Sequence, residues 1–550
     1  MTTTLYTNAR IFTADTDPAA SWAEALVVEN EKITFAGTAT EALAVAGPDA
    51  EQVDLDGNLV VPGFIDSHTH LLMTGEALAK VELTCARTLE EIQSRLAAAR
   101  AAAPEDARVL GRGWLFDSVP EGRPTAAMLD EVLGGVPVYL DSNDYHSCWV
   151  NSAALAELGI TRDTPDPIGG RIVRDSNGDA TGLLLETTVE QIVWPYLASV
   201  TSDADRDLAI DRAIDAYLAA GVTGAVDMAF DEIGLATIER ALERRGGRLP
   251  LRLAAHWLVG NTGNEAANIA QVRRAAELAA RDFGPGFRVV GVKFVSDGVI
   301  DACTAAMHEP YFDGSNEGPI WPLEHLKPVL AAADAAGLQV AVHAIGDAAS
   351  TIALDAIEHA INLNGPRARR HRIEHLEYAA PGTAERMAEL GVTASMQPVH
   401  TDSAVRENWD AMLGDERTER GFAWPEYEAA GALLAFSSDA PTAPHAALPN
   451  LYVATTRRSA LDPARGAVEP DLALPLASAL IHATRDSAES VGDGATHGRL
   501  AAGYAADFVV IDADPFTEGN DVLLTARVLR TVVAGQGAYD AELAASGLAG

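Results

Sequence analysis

The sequence lacks the features that define several common protein classes. It has three cysteines among 550 residues, Cys85, Cys148 and Cys303, and none of them forms a Cys-X-X-Cys pair. An odd number of widely spaced cysteines argues against a disulfide framework and fits a reducing cytoplasm. No run of about 20 apolar residues is present, so we expect no membrane span. The first residues show no charged segment followed by an apolar one, so we expect no signal peptide.

Positive charge is also scarce. The chain has 40 lysine and arginine residues against 79 aspartate and glutamate residues, which gives a formal net charge of −39. Such a surface repels nucleic acid and anionic membranes, so we expect neither as a partner. We interpret the acidic surface as a solubilising one; a second interpretation is that it concentrates metal cations. Hydrophobic residues make up 48% of the chain, an ordinary globular balance for two or three domains.

The stretch at residues 60–72, VVPGFIDSHTHLL, contains the first candidate metal ligands. His68 and His70 are one residue apart, and alternate side chains of a β-strand share a face. Two imidazoles on one face suit the first two ligands of a divalent metal. A bare His-X-His is more often a pair of surface or capping histidines, so the hypothesis depends on ligands elsewhere in the chain.

The two ends of the chain are rich in β-prone segments. Residues 1–62 and 490–550 contain short apolar runs separated by turn sequences such as Asn-Glu-Lys and Asp-Gly-Asn. We predict one β-sandwich assembled from both termini, with two independent β-caps as the alternative. Residues 76–200 mix helices and strands, including a hairpin with Asn-Gly at its turn. We interpret them as an α/β domain inserted after the first barrel strand and covering the active site.

Residues 63–75 and 201–489 show a regular alternation of apolar strands and helices. Several helices end at a glycine just before the next strand, which is a typical helix stop. Eight strands alternating with helices are typical of an α/β protein with a (β/α)8 TIM barrel. The alternative is an open doubly wound sheet, but its Gly-X-Gly-X-X-Gly fingerprint follows none of these strands. The eight predicted strands lie in GFIDSHTH, GVTGAVDM, LRLAAHWLV, RVVGVKFVSDG, LQVAVHAIGD, HRIEHLEY, VTASMQPVH and LLAFSSDAP.

Polar side chains cluster at the carboxyl ends of these predicted strands, where TIM barrels carry their active sites. Each of them alone has a simpler explanation, such as a core histidine, a lysine that reaches the surface or a helix cap. One metal site accounts for the whole set, so we predict such a site. The predicted metal ligands are His68, His70, Lys293, His343, His375 and Asp439.

At these motifs the sequence resembles the metal-dependent amidohydrolase superfamily, and most closely its amidohydrolase-3 branch, which includes N-substituted formamide deformylases. The resemblance covers nearly the whole chain, and its motifs occur in the right order; it is specific for the family but not for the substrate. It also favours a homodimer. The motifs are VVPGFIDSHTHLL, GVKFVSDGVI, AVHAIGDAA, RIEHLEY, FSSDAPTAP and GYAADFVVIDADPF, with GRGWLFD, PTAAMLDEV, HSCWVNSAAL and DPIGGRIVRDSNGDATGLLLE in the insertion.

The resemblance implies a role for each ligand. His68 and His70 would bind the more buried metal, and His343 and His375 would bind a second one. Lys293 stands where many relatives carry a lysine carboxylated by CO₂ that bridges the two metals. Whether one ion or two are bound stays open at this point. Histidine-rich ligation favours zinc, with iron, manganese and nickel as alternatives.

The resemblance further implies that Asp439 contacts the metal-activated water and carries its proton. Burial lowers the pKa of a lysine, so Lys293 could react with CO₂. We predict hydrolysis of a non-peptide C–N bond in a small amide, namely an N-acyl or N-formyl amine or a cyclic amide. The first alternative is a non-hydrolytic metalloenzyme, an isomerase or decarboxylase, on the same scaffold. A non-catalytic scaffold protein is disfavoured because all six positions keep competent side chains.

Substrate contacts are harder to predict than ligands. Relatives often have Asp-Gly-His where this chain has Asp144, Tyr145 and His146, so the shape of the pocket cannot be transferred from them. Aromatic residues of the insertion are explained equally well by packing onto the barrel. A pocket that is apolar with a few polar groups is the general expectation. The predicted substrate-binding residues are Trp114, His146, Asp297 and Gln397, with Phe116, Tyr145, Trp149 and His400 as further candidates.

Overall fold

The computed structural model describes residues 3–17, 21–105, 107–406 and 409–546. Its largest sheet has eight parallel strands in chain order and forms a nearly closed barrel. The barrel strands are β1 (Phe64–Thr69), β2 (Val222–Phe230), β3 (Arg252–Leu258), β4 (Phe287–Val295), β5 (Gln339–Ala344), β6 (Arg372–His375), β7 (Thr393–Met396) and β8 (Leu434–Phe436). The predicted α/β TIM barrel is confirmed.

Hydrogen bonds join the first barrel strand to the last one and to the segment that follows it. The Ser67 hydroxyl donates to the carbonyl of Phe436 at 3.0 Å, and the backbone N–H of Asp439 donates to the carbonyl of His68 at 2.8 Å. Because each strand is covered by helices outside and by side chains inside, the strands read as apolar runs with their few polar residues at the carboxyl ends. This pattern of apolar strands with polar carboxyl ends allowed the barrel to be predicted from the sequence.

Helices surround the barrel and begin and end where the local sequence dictates. Ser202 and Asp205 form a capping box at the start of Asp203–Ala219. Gly391 and Gly431 end two helices with φ of 65° and 78°, in the left-handed region that glycine adopts without strain. The helices of the barrel region are Leu71–Ala77, Asp203–Ala219, Glu232–Arg244, Glu265–Ala279, Leu323–Ala335, Asp347–Asn364, Thr383–Leu390, Trp409–Leu413, Asp415–Thr418, Trp424–Ala430, Ala447–Thr456, Leu476–His482 and Arg485–Ser490.

Segments from both ends of the chain form two further sheets that share one core. Leu59–Pro62 pairs antiparallel with Phe508–Ile511, which joins the N-terminal and C-terminal parts directly. Side chains of both sheets, such as Leu26 and Val510, pack in one cluster. The four-stranded sheet has the order Lys32–Gly37, Ala25–Glu29, Thr3–Thr7, Glu51–Asp54, and the six-stranded one has the order Gln536–Asp540, Val528–Val533, Phe508–Ile511, Leu59–Pro62, Arg10–Phe12, Trp22–Ala23. Helices Ala39–Ala46, Pro515–Glu518 and Ala541–Ala545 accompany these sheets.

The segment between β1 and β2 forms a separate six-stranded sheet with its own core. Its predicted hairpin is present as an antiparallel pair, Gly170–Arg174 with Ala180–Glu186. The strand order is Gly170–Arg174, Ala180–Glu186, Ser147–Val150, Val138–Ser142, Val109–Trp114, Val81–Glu82. Its helices are Leu89–Ala102, Ala126–Leu133, Ser152–Glu157 and Trp194–Val200, and a π-helical turn spans Val189–Val193.

Short 3₁₀ turns complete the secondary structure at Phe116–Ser118, Pro120–Gly122, Pro398–Thr401, Pro470–Leu472 and Asn520–Leu524. Within the described ranges, no helix has both the length and the apolar character needed to cross a membrane.

Candidate active site

All six predicted metal ligands lie at the carboxyl end of the barrel and line one cavity. Five of them are at most 5% exposed, and His70 is partly exposed. Polar groups this deeply buried need partners, which they find in one another and in the residues behind them. The ligands and their positions are His68 in β1, His70 just after it, Lys293 in β4, His343 in β5, His375 at the end of β6 and Asp439 after β8.

Four of these residues, which are His68, His70, Lys293 and Asp439, have their donor atoms in one group of close contacts. Oδ1 of Asp439 lies 3.1 Å from Nε2 of His70 and 3.3 Å from Nε2 of His68. Nζ of Lys293 lies 3.4 Å from the same nitrogen of His68. Tetrahedral coordination with bonds of about 2.0–2.1 Å places neighbouring ligand atoms about 3.3–3.4 Å apart. The spacing and chemistry of these donors therefore fit a divalent metal ion.

His343 and His375 stand next to this group. Their ring centroids are 4.4 Å apart, and the ring of His375 is 4.8 Å from that of His68. Nε2 of His343 lies 3.2 Å from the carbonyl oxygen of Gly298, and Nδ1 of His375 lies 2.9 Å from Oε1 of Gln397. The second nitrogen of each ring has no hydrogen bond to any residue that the structure describes. Both rings can thus offer one nitrogen to a metal.

Left-handed backbone conformations orient two of the ligands. His375 has φ of 75° and Asp439 has φ of 57°, values that non-glycine residues rarely adopt. Consecutive residues of an extended strand point to opposite faces, so Glu374 and His375 would point apart if β6 continued regularly. The turn at His375 ends that alternation at the cavity. Strain of this kind is typical of functional sites.

Sequence comparison decides the family. The sequence profile of the Amidohydrolase family matches residues 51–539. The chain belongs to the amidohydrolase family. The putative amidohydrolase YtcJ of Bacillus subtilis is 31% identical over 94% of this chain and 96% of its own length. N-substituted formamide deformylase of Arthrobacter pascens is 29% identical over 97% of each chain. The family resemblance read from the motifs is confirmed.

Solved structures agree with this assignment. An uncharacterized metal-dependent hydrolase from Pyrococcus horikoshii has a TM-score of 0.73 and 27% identity, and covers 94% of this chain and 99% of its own. A second one, from Pyrococcus furiosus, has a TM-score of 0.71 at the same identity, with 94% and 100% covered. The family, these metal-dependent relatives and the donor geometry together support a hydrolase that uses a divalent metal.

In this amidohydrolase a buried carboxylate orients the candidate metal ligand His68. Oε2 of Glu374 lies 2.7 Å from Nδ1 of His68, and both side chains are fully buried. Arg372 donates to both oxygens of Glu374, from Nε at 2.6 Å and from Nη2 at 3.0 Å. A carboxylate on Nδ1 fixes the tautomer that leaves Nε2 free for a metal. Sequence analysis missed Glu374, although its two-residue spacing from Arg372 in HRIEHLEY placed both on one strand face.

The electrostatics of the amidohydrolase site favour the ligand forms of these residues. Burial lowers the pKa of Lys293 to about 8, against the opposing effect of Glu374 and Asp439. Burial also holds the pKa of His343 well below its usual range. Burial alone would raise the pKa of Asp439, but His68 and His70 outweigh it and hold that pKa well below the usual range. A neutral imidazole and an ionised carboxylate are the forms that bind metals.

The insertion contributes a charged pair to the same cavity. Nδ1 of His146 lies 2.6 Å from Oε2 of Glu186, and the ring of His146 is 5.4 Å from that of His343. The other oxygen of Glu186 accepts a hydrogen bond from the Thr304 hydroxyl. Burial lowers the pKa of His146, but Glu186 overcomes this effect and raises the pKa to about 10. His146 is therefore an imidazolium that faces the cavity, as a substrate-contacting residue would.

Three predicted substrate contacts have other roles in this structure. Trp114 is fully buried in the insertion core, and its indole N–H donates to the carbonyl of Leu140 at 2.9 Å. Asp297 is fully buried and accepts hydrogen bonds from three backbone N–H groups, those of Ala306, Ile345 and Gly346.

Gln397 contacts the candidate metal ligand His375 and does not line the cavity. Its Oε1 contacts Nδ1 of His375, and its amide nitrogen donates to the Ser437 hydroxyl at 2.9 Å. Of the described residues, those that line the cavity include His146 but none of these three. Burial and satisfied hydrogen bonds make Trp114, Asp297 and Gln397 packing or positioning residues. Composition and spacing gave no signal for this distinction, because it depends on which way each side chain points.

Tyr145, the departure from the family pattern, lies on the cavity wall. Its φ of 62° lies in the left-handed region, which glycine adopts without strain. The residue is 5% exposed, and its hydroxyl is buried without a hydrogen-bond partner among the described residues. Lys80 lies 5.6 Å from the centre of its ring. The Tyr145 side chain therefore narrows the cavity, and its hydroxyl on this wall has no hydrogen-bond partner among the described residues.

Proposed function

We propose that this amidohydrolase hydrolyses a non-peptide C–N bond in a small amide, an N-formyl or N-acyl amine or a cyclic amide. The observation that carries the proposal is the convergence of Asp439, His68 and His70. Nε2 of each histidine lies within 3.3 Å of Oδ1 of Asp439. This arrangement supports a proton acceptor next to a bound metal ion. The full-length similarity to N-substituted formamide deformylase supports the amide as the bond class.

The proposed ligands divide between two metal positions. His68, His70 and Asp439 would hold one ion, and His343 and His375 would hold another. A divalent cation bound there supplies Lewis acidity, which acidifies water and polarises an amide carbonyl. The nitrogen-rich donor set favours zinc.

Lys293 is proposed to join the two positions as a carbamate. Its buried ammonium loses a proton readily, because burial lowers its pKa to about 8. The neutral amine then adds to CO₂ and releases a proton, which gives an anionic oxygen donor where the uncharged amine stood. The adjacent cations would stabilise that negative charge.

Asp439 is proposed as the proton carrier. Its carboxylate is ionised in the resting site, so it can take the proton of the attacking water at Oδ1 or Oδ2. An amide nitrogen leaves poorly as an anion, so the protonated carboxyl then delivers the same proton to that nitrogen. Asp439 thus takes a proton from the attacking water and gives the same proton to the leaving nitrogen, and its carboxylate is ionised again at the end of the cycle.

His146 is proposed to orient the amide carbonyl. Glu186 keeps its ring protonated, so Nε2 carries a hydrogen that points away from the Glu186 side. A charged N–H donor in a buried cavity stabilises the negative charge that develops on a carbonyl oxygen.

The proposal is tested on purified protein by measuring metal content and the hydrolysis of a panel of N-formyl amines, N-acyl amines and cyclic amides. We expect equal amounts of a free amine and an acid from the acyclic amides, and one ring-opened amino acid from each cyclic amide. We also expect loss of activity with a chelator and recovery with zinc. Conversion without release of an amine would favour an isomerase or decarboxylase. Absence of metal and of turnover after loading with zinc and bicarbonate would favour a non-catalytic scaffold.

A further inference from the structure

One carboxylate on the cavity wall makes no hydrogen bond or ion pair within the described residues. Glu190 lines the same cavity as the metal ligands, yet no hydrogen bond or ion pair joins it to any residue in the described ranges. The neighbouring acidic groups differ in this respect. Glu186 is paired with His146, and Asp144 accepts hydrogen bonds from the Ser142 hydroxyl and the His146 backbone N–H. Burial raises the pKa of Glu190 against the opposing effect of the nearby His146 and Lys293. Glu190 is thus the carboxylate of this wall that makes no hydrogen bond or ion pair in the described ranges, and it stays open to a charged ligand.

The backbone holds Glu190 in a fixed position. It lies in the π-helical turn Val189–Val193, whose two terminal valines are fully buried in the insertion core. Single π-turns are frequent at functional sites. Trp194 follows four residues later and also lines the cavity, and residues four apart on a helical segment are neighbours on one side. A carboxylate and an indole are therefore presented together.

The other residues of the cavity wall are either apolar or already interact with another group. Met73, Met228 and Leu258 line it without polar groups that could pair with Glu190. The cationic side chains on the wall are those of the metal set and His146, which Glu186 already neutralises. No arginine lines the cavity in the described part of the chain. A substrate carboxylate would therefore meet Glu190 without a counter-charge, whereas a cation would find a partner.

A second polar group on the cavity wall also lacks a hydrogen-bond partner among the described residues. The Tyr145 hydroxyl is buried on the same wall and has no hydrogen-bond partner among the described residues. An unsatisfied buried hydroxyl costs about 1–3 kcal/mol unless a ligand pairs with it. The residue also keeps a left-handed backbone conformation that glycine would adopt more easily. Both features are explained if the hydroxyl binds a substrate group.

We propose that Glu190 and Trp194 form a subsite for a positively charged nitrogen on the amine portion of the substrate. The preferred substrates are then N-formyl or N-acyl derivatives of amines that carry a second, protonated amino group, and N-acyl amino acids are rejected. Glu190 pairs with the ammonium, and the face of Trp194 attracts it through its π-electrons. This inference rests on the proposed amide hydrolysis and names its substrate class.

The test uses three substrates of equal length that differ at one end. They are the mono-N-formyl derivative of a linear diamine, the N-formyl n-alkylamine and the N-formyl ω-amino acid. We expect kcat/KM of the zinc-loaded enzyme to be about 10- to 100-fold higher for the ammonium substrate than for the neutral one, and lowest for the carboxylate. Equal values for the three substrates would overturn the subsite.

Glu190→Gln is the decisive variant, since it keeps size and removes charge. It should lower kcat/KM for the ammonium substrate about 10- to 100-fold and leave the neutral substrate within about threefold. Glu121→Gln, at a side chain that is 81% exposed in the same insertion, is the matched control and should change neither. An equal loss on all three substrates, or a loss of bound metal, would show that Glu190 is a catalytic residue or metal ligand instead.

Direct binding separates this inference from the proposed reaction. Calorimetry on the zinc-loaded protein compares the linear diamine with the n-alkylamine and the ω-amino acid. Tighter binding of the diamine, weakened by Glu190→Gln, would support the subsite even if no amide of the panel were hydrolysed. Hydrolysis without any preference for the diamine would leave the proposed function standing and overturn the subsite.

Discussion

Oε2 of Glu374 lies 2.7 Å from Nδ1 of His68, at a place in the barrel where neither side chain is exposed. The two residues are 306 positions apart in the chain. Arg372 fixes the carboxylate from its other side through two hydrogen bonds. The candidate metal ligand His68 is therefore held in one orientation, and its second ring nitrogen faces Asp439 and Lys293.

Glu374→Gln should weaken metal binding while leaving all six ligands in place. The amide cannot polarise His68 as a carboxylate does, and such partners typically contribute 10- to 100-fold to affinity, so we expect a loss of about that size. Competition with a chromophoric chelator measures it. Glu239→Gln, at a partly exposed surface pair with Arg281, is the control. Unchanged metal affinity in the Glu374 variant would contradict the orienting role.

Asp439→Asn should abolish turnover but keep metal content near that of the parent protein. The amide oxygen can still occupy the ligand position, but it cannot accept and deliver a proton. Loss of general acid–base catalysis lowers kcat by about 10²- to 10⁴-fold. Steady-state kinetics and elemental analysis on the same preparation check both halves. Retained activity would refute Asp439 as the proton carrier.

Lys293 should make metal loading depend on bicarbonate. Loading apo-protein with zinc and bicarbonate should give about two ions per chain, as expected for a bridged pair, and loading without bicarbonate should give fewer. Lys293→Arg keeps a positive charge but forms no carbamate, so bicarbonate should not change its stoichiometry. Elemental analysis measures the ratio. If bicarbonate leaves the loading of the parent protein unchanged, Lys293 acts as an ordinary lysine.

Asp334→Asn should destabilise the fold in a pH-dependent way. Asp334 is buried at the end of Leu323–Ala335 and binds Arg367, Arg369 and His371, each at 2.8 Å. Burial alone would raise its pKa, but these partners outweigh it and hold the pKa well below its usual range. Removing one partner of a buried ion pair costs about 3 kcal/mol or more.

The sign of the pH effect follows from the direction of that shift. A lowered pKa in the folded state stabilises the protein fully above the unfolded value of about 3.9. This effect declines below that value and is lost as pH falls through the lower folded-state pKa. The penalty of Asp334→Asn should therefore be constant from pH 7 to pH 5 and shrink below about pH 4. Urea denaturation measures it. Asp179→Asn, at an exposed pair with Arg162, should cost less than about 1 kcal/mol at every pH.

The barrel and the convergence of the six candidate ligands on one cavity could be predicted because their evidence is local. A buried parallel strand must be apolar, a helix must repeat its apolar face about every 3.6 residues, and polar residues at a strand end stand out against that background. His343 at the end of VAVHA and Asp439 after LLAFSS are such residues. The rule that barrels place chemistry at the carboxyl ends of strands then brought them together.

The substrate contacts could not be predicted in the same way. Trp114 and Asp297 have the residue types and positions of contacts, yet one packs the insertion core and the other binds three backbone N–H groups. Glu190 could not be predicted from the sequence, because the residues near it in the chain do not show that its carboxylate lacks a hydrogen bond or ion pair in the fold. Orientation and the absence of a partner are properties of the surroundings.

The sequence by itself determined the alternation of strands and helices, the family and the six residues that converge at the end of the barrel. The reason is that periodicity and strand-end chemistry are written within a few neighbouring positions. Only the tertiary structure decided that Glu374 supports His68, that Gln397 supports His375 and that the backbone turns at His375. Hydrogen bonds between distant segments depend on the register and curvature of the closed barrel, which no local pattern encodes.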